Sequence, residues 1–226
     1  MKPSDLYDGY YVKGDDNDIG SEEQVLFNLI AKRGRGMLLD VGCGAGNIGA
    51  DLIKLGFHVV GLDHSPEAVK LANARGLDAR LCDLDSDGLG CQDSTFDVVW
   101  AGDVLEHVFD PIFLLKEASR VLKKDGSFYL SVPNEFPLRT RLALLIKGRS
   151  SQSFTYKTQL IDHHHTHFSL DLIDFMLAQA GLRVKWFGGI LRWPFHSWPG
   201  EKLSRSRFLA RNFGRAFIVV AQKDQR

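Results

Sequence analysis

Residues 38–49 read Leu38-Leu39-Asp40-Val41-Gly42-Cys43-Gly44-Ala45-Gly46-Asn47-Ile48-Gly49, an apolar strand that runs into four glycines and then opens a helix. A glycine-rich junction of this kind lets backbone N–H groups approach a nucleotide closely. Two spacings overlap in it. Gly44, Gly46 and Gly49 fit G-x-G-x-x-G, the fingerprint of dinucleotide sites. Gly42, Gly44 and Gly46 fit a tighter G-x-G-x-G, with Cys43 and Ala45 between the glycines and Asp40 just before them. Glycine spacing does not choose between the two, so charges elsewhere must.

Outward from the loop, strand and helix signals alternate. Ser21-Glu22-Glu23-Gln24 is a capping-box pattern for a helix to about Lys32. Gly36–Val41 reads as a buried strand, 47–55 as a helix, and Phe57–Leu62 as a strand ending at Asp63. Ser65-Pro66 and Asp110-Pro111 are cap-proline helix starts. Strands are expected at 77–82, 96–101, 127–132, 182–187 and 216–221, with a helix capped by Ser169. This alternation predicts a parallel sheet covered on both faces. Ligands of such sheets bind at the carboxyl ends of the strands. Asp40, Asp63, Asp83 and Asp103 fall at or just past four successive strand ends, which makes a negative rim. An anionic pyrophosphate is repelled by that rim. S-adenosylmethionine, with a sulfonium, an ammonium and no phosphate, suits it. No Gly-Lys-Ser/Thr follows the glycines, which excludes a P-loop. Taken singly, Asp83 and Asp103 are also ordinary turn-capping residues, and Cys43 reads as a small filler between glycines rather than a nucleophile.

The chain has 226 residues, zero net charge, and no apolar run long enough to cross a membrane. The amino-terminal stretch lacks the apolar segment of a secretory signal. Cys43, Cys82 and Cys91 form no zinc spacing and no even disulfide set, so free thiols and a cytoplasmic location are expected. The neutral total hides a split: residues 1–132 carry 22 acids and 13 bases, residues 133–226 carry 6 acids and 15 bases. Either the halves face different ligands, or they are two solvated faces of opposite sign. Residues 1–20 read as a mobile lead-in and 134–168 shows no clear period. Together with 188–213, the latter is read as a cover over a single domain, 1–226.

These stretches resemble the class I S-adenosylmethionine-dependent methyltransferases: LLDVGCGAGNIG, VVGLDHSPEAV, ARLCDLDS, STFDVVWAGDVLEHVFDPIFLLKEASRVLKKDGSFYLSVPN and HFSLDLIDFMLAQAGLRV. DLDSDGLGCQDSTFDVV and SVPNEFPLRTRLALLIKGR look like the branch that includes the methionine-biosynthesis protein MetW. DVLEHVFDP looks like the ubiquinone-biosynthesis O-methyltransferases. The resemblance implies a Rossmann-like three-layer α/β sandwich, its seven-stranded, mostly parallel sheet ending in an antiparallel strand. It implies that Asp40 and the loop of Gly42, Cys43, Gly44 and Gly46 hold the methionine moiety. Asp63 would bind the ribose hydroxyls with His64 beside the adenine; Asp83 would accept from the adenine amino group, with Leu84 offering backbone. Asp103 would lie near the cofactor and the substrate entrance.

Methyl transfer is an in-line displacement whose main demand is alignment. A base is needed only if the acceptor loses a proton. His107, four residues past Asp103, is the catalytic candidate; its alternative role is to order the loop by hydrogen bonding. Asp162-His163-His164-His165-Thr166-His167 reads either as a polar loop lining the acceptor pocket or, with Asp103, Glu106 and His107, as a metal site. Related metal-using methyltransferases carry Glu at the position of Asp103, so no metal is expected. Pro137–Arg149 and residues 186–211 mix aromatic, aliphatic and basic residues, among them Arg139, Arg141, Arg149, Trp186, Arg192, Trp193 and Trp198. That mixture suits a small-molecule acceptor with an anionic group and an apolar or ring portion, or a peripheral membrane contact. A lid with solvated arginines is the plainer alternative. Nucleic acid is not expected, since the chain is neutral and carries no RNA-binding module. The function expected is O-methylation of such an acceptor. The alternative is a MetW-like, partner-regulating or cofactor-sensing protein with little turnover.

Overall fold

The computed structural model describes residues 21–86, 88–147, 164–191 and 202–224. The lead-in at 1–20 lies outside them, as do 148–163 and 192–201 of the cover, with His163, Arg149, Arg192, Trp193 and Trp198. In chain order the elements are α1 (Ser21–Ala31), β1 (Gly36–Val41), α2 (Asn47–Lys54), β2 (Phe57–Asp63), α3 (Pro66–Ala74), β3 (Asp78–Leu81) and β4 (Phe96–Gly102). Then come α4 (Pro111–Val121), β5 (Leu122–Pro133), α5 (Leu138–Lys147), α6 (Leu170–Gln179), β6 (Leu182–Leu191), β7 (Lys202–Ser204), α7 (Arg207–Phe213) and β8 (Gly214–Lys223).

Alternation of side chains across each strand builds two cores, one on each face of the sheet. Leu39 and Val41 of β1, with Val99 and Ala101 of β4, face Leu114, Leu115 and Ala118 of α4 and Ile173 and Leu177 of α6. Leu38, Val98 and Trp100 point the other way, against Leu26 and Ile30 of α1, Leu52 of α2 and Ala72 of α3. The result is the expected three-layer sandwich. The caps work as the sequence implies: Ser65 Oγ accepts from Ala68 N, Asp110 Oδ1 from Phe113 N and Ser169 Oγ from Leu172 N.

The sheet order is β3-β2-β1-β4-β5-β8-β6-β7. Strands β1 to β5 pair in parallel. β8 is antiparallel to both β5 and β6, so the last strand is inserted with opposite sense, as expected. Two readings need correction. The sheet has eight strands among the described residues, because the short β7 pairs antiparallel with the end of β6, which itself runs on to Leu191. Residues 188–191, 202–204 and 207–213 of the expected cover are therefore sheet and helix. The stretch without clear period also contains a helix, α5: its Leu142, Leu144, Leu145 and Ile146 are exposed, so burial imposes no one-sided apolar stripe on it.

Register sets the site. Asp40 lies level with Gly61 of β2 and Trp100 of β4, and Asp63 level with Leu81 of β3. The carboxyl ends of the four strands thus open on one edge, with β1 central.

Candidate cofactor cleft and acceptor site

Between β1 and α2 the chain turns through Gly42, Gly44 and Gly46 at φ +72°, +52° and +79°. Glycine takes this left-handed region without a Cβ clash. A Cβ on Gly46 would lie 2.9 Å from the Cα of Ala72, and one on Gly42 2.5 Å from Val104 Cγ2. The loop is pinned from outside by Arg75, whose Nη1 donates to the carbonyl of Ala45 at 2.6 Å. Cys43 is buried against Gly61, and burial followed by the charges of Asp40 and Asp63 pushes its thiol well up. That is the filler role, not a nucleophile's.

Asp63 accepts from Gly44 N at Oδ2 and from Ser65 N at Oδ1, both at 2.9 Å. A carboxylate offers about four lone-pair directions, so each oxygen keeps capacity for one further donor, such as a hydroxyl of a diol. His64 Nδ1 lies 3.7 Å from Asp63 Oδ1. Asp40 is only 6% exposed. Burial, then Glu23 of α1 and Asp63, push its carboxyl up to about 7. A buried carboxyl short of positive charge is a fitting neighbour for a cation. Asp83 is exposed, and its Oδ1 accepts from Asp85 N at 3.0 Å in a turn; Leu84 beside it is partly buried.

Asp103 stands at φ +52°, a left-handed conformation that a non-glycine residue adopts at a cost. Ser131 of β5 holds it there: Asp103 N donates to Ser131 O and Oγ, both at 3.2 Å, and Ser131 Oγ donates back to Oδ1 at 3.1 Å. Burial, then Glu22, push its carboxyl up to about 6. The strained turn redirects the chain into Glu106 and His107.

Here three parts of the chain converge. Ligand-type atoms of Glu106, His107 and His164 lie within 4.8 Å of one another. Glu106 is 2% exposed, and its Oε2 has no hydrogen-bond partner among the described residues. Burial, then Asp103 and Glu135, push its carboxyl up to about 9. The His107 and His164 rings meet edge-on at 4.9 Å. His165 N and Thr166 N donate to the Glu106 carbonyl at 2.7 and 3.3 Å, which seats the histidine segment. His164 Nδ1 is 3.0 Å from Glu135 Oε1. Next to Glu135 in the chain, buried Asn134 shares its two Nδ2 hydrogens among the carbonyls of Ala210, Arg211 and Gly214. One carboxylate and two imidazoles so placed could hold a metal ion or hydrogen-bond one oxygen of a ligand.

The sequence reading singled out Asp40, Asp63, Asp103 and His107, and all four stand on this edge. It missed Ser131 and Glu135, which carry no motif of their own, and the acids of α1, which only the fold brings over β1. The basic half spends part of its charge within the domain. Arg207 pairs with Asp174, Arg211 with Asp171 and Arg215 with Glu22.

A methyltransferase-domain family profile matches residues 39–130. A ubiquinone biosynthesis O-methyltransferase of Xanthomonas euvesicatoria is 30% identical over 167 residues, covering 71% of this chain and 68% of that protein. The chain belongs to the class I S-adenosylmethionine-dependent methyltransferases. The homologous enzyme of Xanthomonas oryzae is 36% identical over 114 residues, or 48% of this methyltransferase chain, which spans 47% of the relative's length. In fold, the methyltransferase is similar to a chain in the complex of the Haloferax volcanii Trm112 methyltransferase activator with a methyltransferase. That match has a TM-score of 0.67 and 23% identity over 96% of this chain and 97% of that one.

Proposed function

We propose that this methyltransferase moves a methyl group from S-adenosylmethionine to an oxygen of a small molecule. The observation that carries the reading is the pair of buried carboxylates, Asp40 and Asp63, flanking a positive-φ glycine loop at the ends of β1 and β2. Bound there, the cofactor would supply a methyl group on a positively charged sulfur, a good neutral leaving group. Asp40 would favour the cationic methionine end beside Gly42, Cys43, Gly44 and Gly46. Asp63, with two lone pairs to spare, would take the ribose hydroxyls, and His64, Asp83 and Leu84 would border the adenine. Asp103 and His107 would stand where the cofactor meets the acceptor. The chain's own contribution is to bind, align and exclude water.

Oxygen as the target is supported by the printed activity of the O-methyltransferase relatives and by the histidine and carboxyl cluster, which offers a place for a departing proton. One domain over 1–226 and a cytoplasmic location are part of this reading. Free Cys43, Cys82 and Cys91 support the latter. Peripheral membrane contact is supported by α5, where Leu145 and Ile146 are 82% and 78% exposed beside exposed Arg139. No helix among the described residues is long and apolar enough to cross a membrane. The test is transfer of a labelled methyl group to a small-molecule extract by the purified chain. Label in oxygen-methylated products supports the reading. Cofactor binding without any transfer supports a sensing or partner-regulating role instead.

A further inference from the structure

We propose that Phe109 is a positioning residue that couples the adenine end of the cofactor cleft to the histidine segment, so that cofactor binding steadies the acceptor side of the site. The inference rests on the reading above of Asp83 and Leu84 as the border of the adenine. Its first support is where the ring lies. Phe109 comes just past the turn that carries Glu106 and His107, and it is 75% exposed. A ring so placed contributes little to either core. It stacks instead on His165, with centroids 4.2 Å apart and planes 25° apart, a favourable aromatic geometry.

The second support is that Phe109 is held from the cofactor side as well. Its backbone N donates to Asp85 Oδ1 at 2.7 Å, and Asp85 N donates in turn to Asp83 Oδ1 at 3.0 Å. On the far side, His165 N and Thr166 N donate to the Glu106 carbonyl, and the ring of His164, next in the chain, meets that of His107 edge-on. A continuous run of contacts thus leads from Asp83, through Asp85 and Phe109, to His165 and the segment that brings His164 to the site. The loop after β3, the turn after β4 and the histidine segment before α6 meet at this one residue.

The coupling follows from linkage. Asp83, Asp85 and Ser86 are exposed, and backbone hydrogen bonds at such a surface open readily. Adenine bound against Asp83 and Leu84 restrains that loop. It thereby favours the closed state, in which Asp85 accepts from Phe109 N and the Phe109 ring meets His165. A ligand shifts such an equilibrium by its difference in affinity for the two states and no further. Coupling is also reciprocal, so an acceptor held by the histidine segment tightens the cofactor by the same factor.

The experiment uses S-adenosylhomocysteine as the probe, first in calorimetric titration and then at saturation in amide hydrogen exchange. The chains compared are the wild type, Phe109→Ala, Phe109→Tyr and Asp85→Ala. In the wild type the probe is expected to slow exchange at residues 164–167 about 5-fold or more. Phe109→Ala and Asp85→Ala should bind it nearly as tightly and melt close to the wild type, yet lose that protection. Phe109→Tyr, which keeps a ring, should retain it. A ring that served stability alone would leave the effect of the probe intact. Binding to the wild type without added protection at 164–167, equal protection in the wild type and either alanine variant, or a Phe109→Tyr that behaves like Phe109→Ala would each overturn the proposal. So would loss of binding in Phe109→Ala, which would put the ring in the cofactor site itself. If the wild type does not bind S-adenosylhomocysteine at all, the cofactor reading fails first and the coupling falls with it.

Discussion

Asp40 shows how one residue couples stability to binding. Its folded value of about 7 lies above the ordinary 3.8, so the folded protein keeps a proton that the unfolded chain has released. Stability from this group is therefore lost as pH rises from about 4 through about 7. Asp40→Asn is expected to raise the melting temperature of the ligand-free protein at pH 8 and to weaken binding of the cationic cofactor. Affinity of the wild type for S-adenosylmethionine should rise as pH passes through about 7, and that of Asp40→Asn should not. Melting curves and calorimetry between pH 5.5 and 8 check both; a wild-type affinity that falls with pH would contradict the assignment. Ser131 is the second test at this scale. Ser131→Ala removes the hydroxyl that holds Asp103 at φ +52°. We expect turnover to fall more than stability does, since the turn before Glu106 and His107 loses its restraint. A variant that loses stability yet keeps wild-type turnover per folded molecule would show that the strain has no use.

At the scale of elements, the cleft depends on Asn134, which ties the end of β5 to the carbonyls that close α7. Asn134→Ala would remove those hydrogen bonds, at a cost of about 0.5–1.5 kcal/mol each at most, since Ala210 O keeps the Gly214 N–H. It should also loosen Glu135, seen as a lower unfolding midpoint together with reduced turnover. Helix α5 invites a separate measurement. Vesicles containing phosphatidylglycerol should bind the chain more strongly than neutral phosphatidylcholine vesicles, and Leu145→Asp with Ile146→Asp should abolish binding. Equal partition into both would leave the exposed leucines without this role. These elements also mark what the sequence reveals. Strand β1 was legible to the residue because it is buried on both faces and ends in glycines that the turn requires. The starts of α3 and α4 were legible because cap and proline announce them. Helix α5 was not, because its apolar residues serve no single buried face. β7 was not either: three residues carry no period, and only pairing with β6 makes them a strand. The same logic governs the site. Asp40 and Asp63 could be read because strand ends locate them, whereas the Glu135–His164 contact joins residues 29 apart through a fold that no local pattern encodes.

The whole molecule places its charges unevenly. The acidic first half gathers carboxylates at the ends of β1, β2 and β4, where a cationic cofactor fits. In the second half, Arg207, Arg211 and Arg215 pair with carboxylates within the domain, while on α5 Arg139 is exposed and Arg141 donates to Asn212 Oδ1. Charge reversal at Arg139 and Arg141 is expected to raise KM for an anionic acceptor, to flatten its salt dependence and to leave cofactor affinity nearly unchanged. Loss of cofactor binding in that variant would contradict the division of labour. The central claim, that the glycine loop and its carboxylates hold a cation and not a pyrophosphate, is tested most directly by calorimetric titration of the wild type and of Asp63→Ala. The ligands are S-adenosylmethionine, S-adenosylhomocysteine and NAD. We expect the first two to bind the wild type, each more weakly in Asp63→Ala, where charge-assisted hydrogen bonds of about 1.5–3 kcal/mol are lost, and NAD to give no heat of binding. Tight binding of NAD with no response to S-adenosylhomocysteine would contradict it.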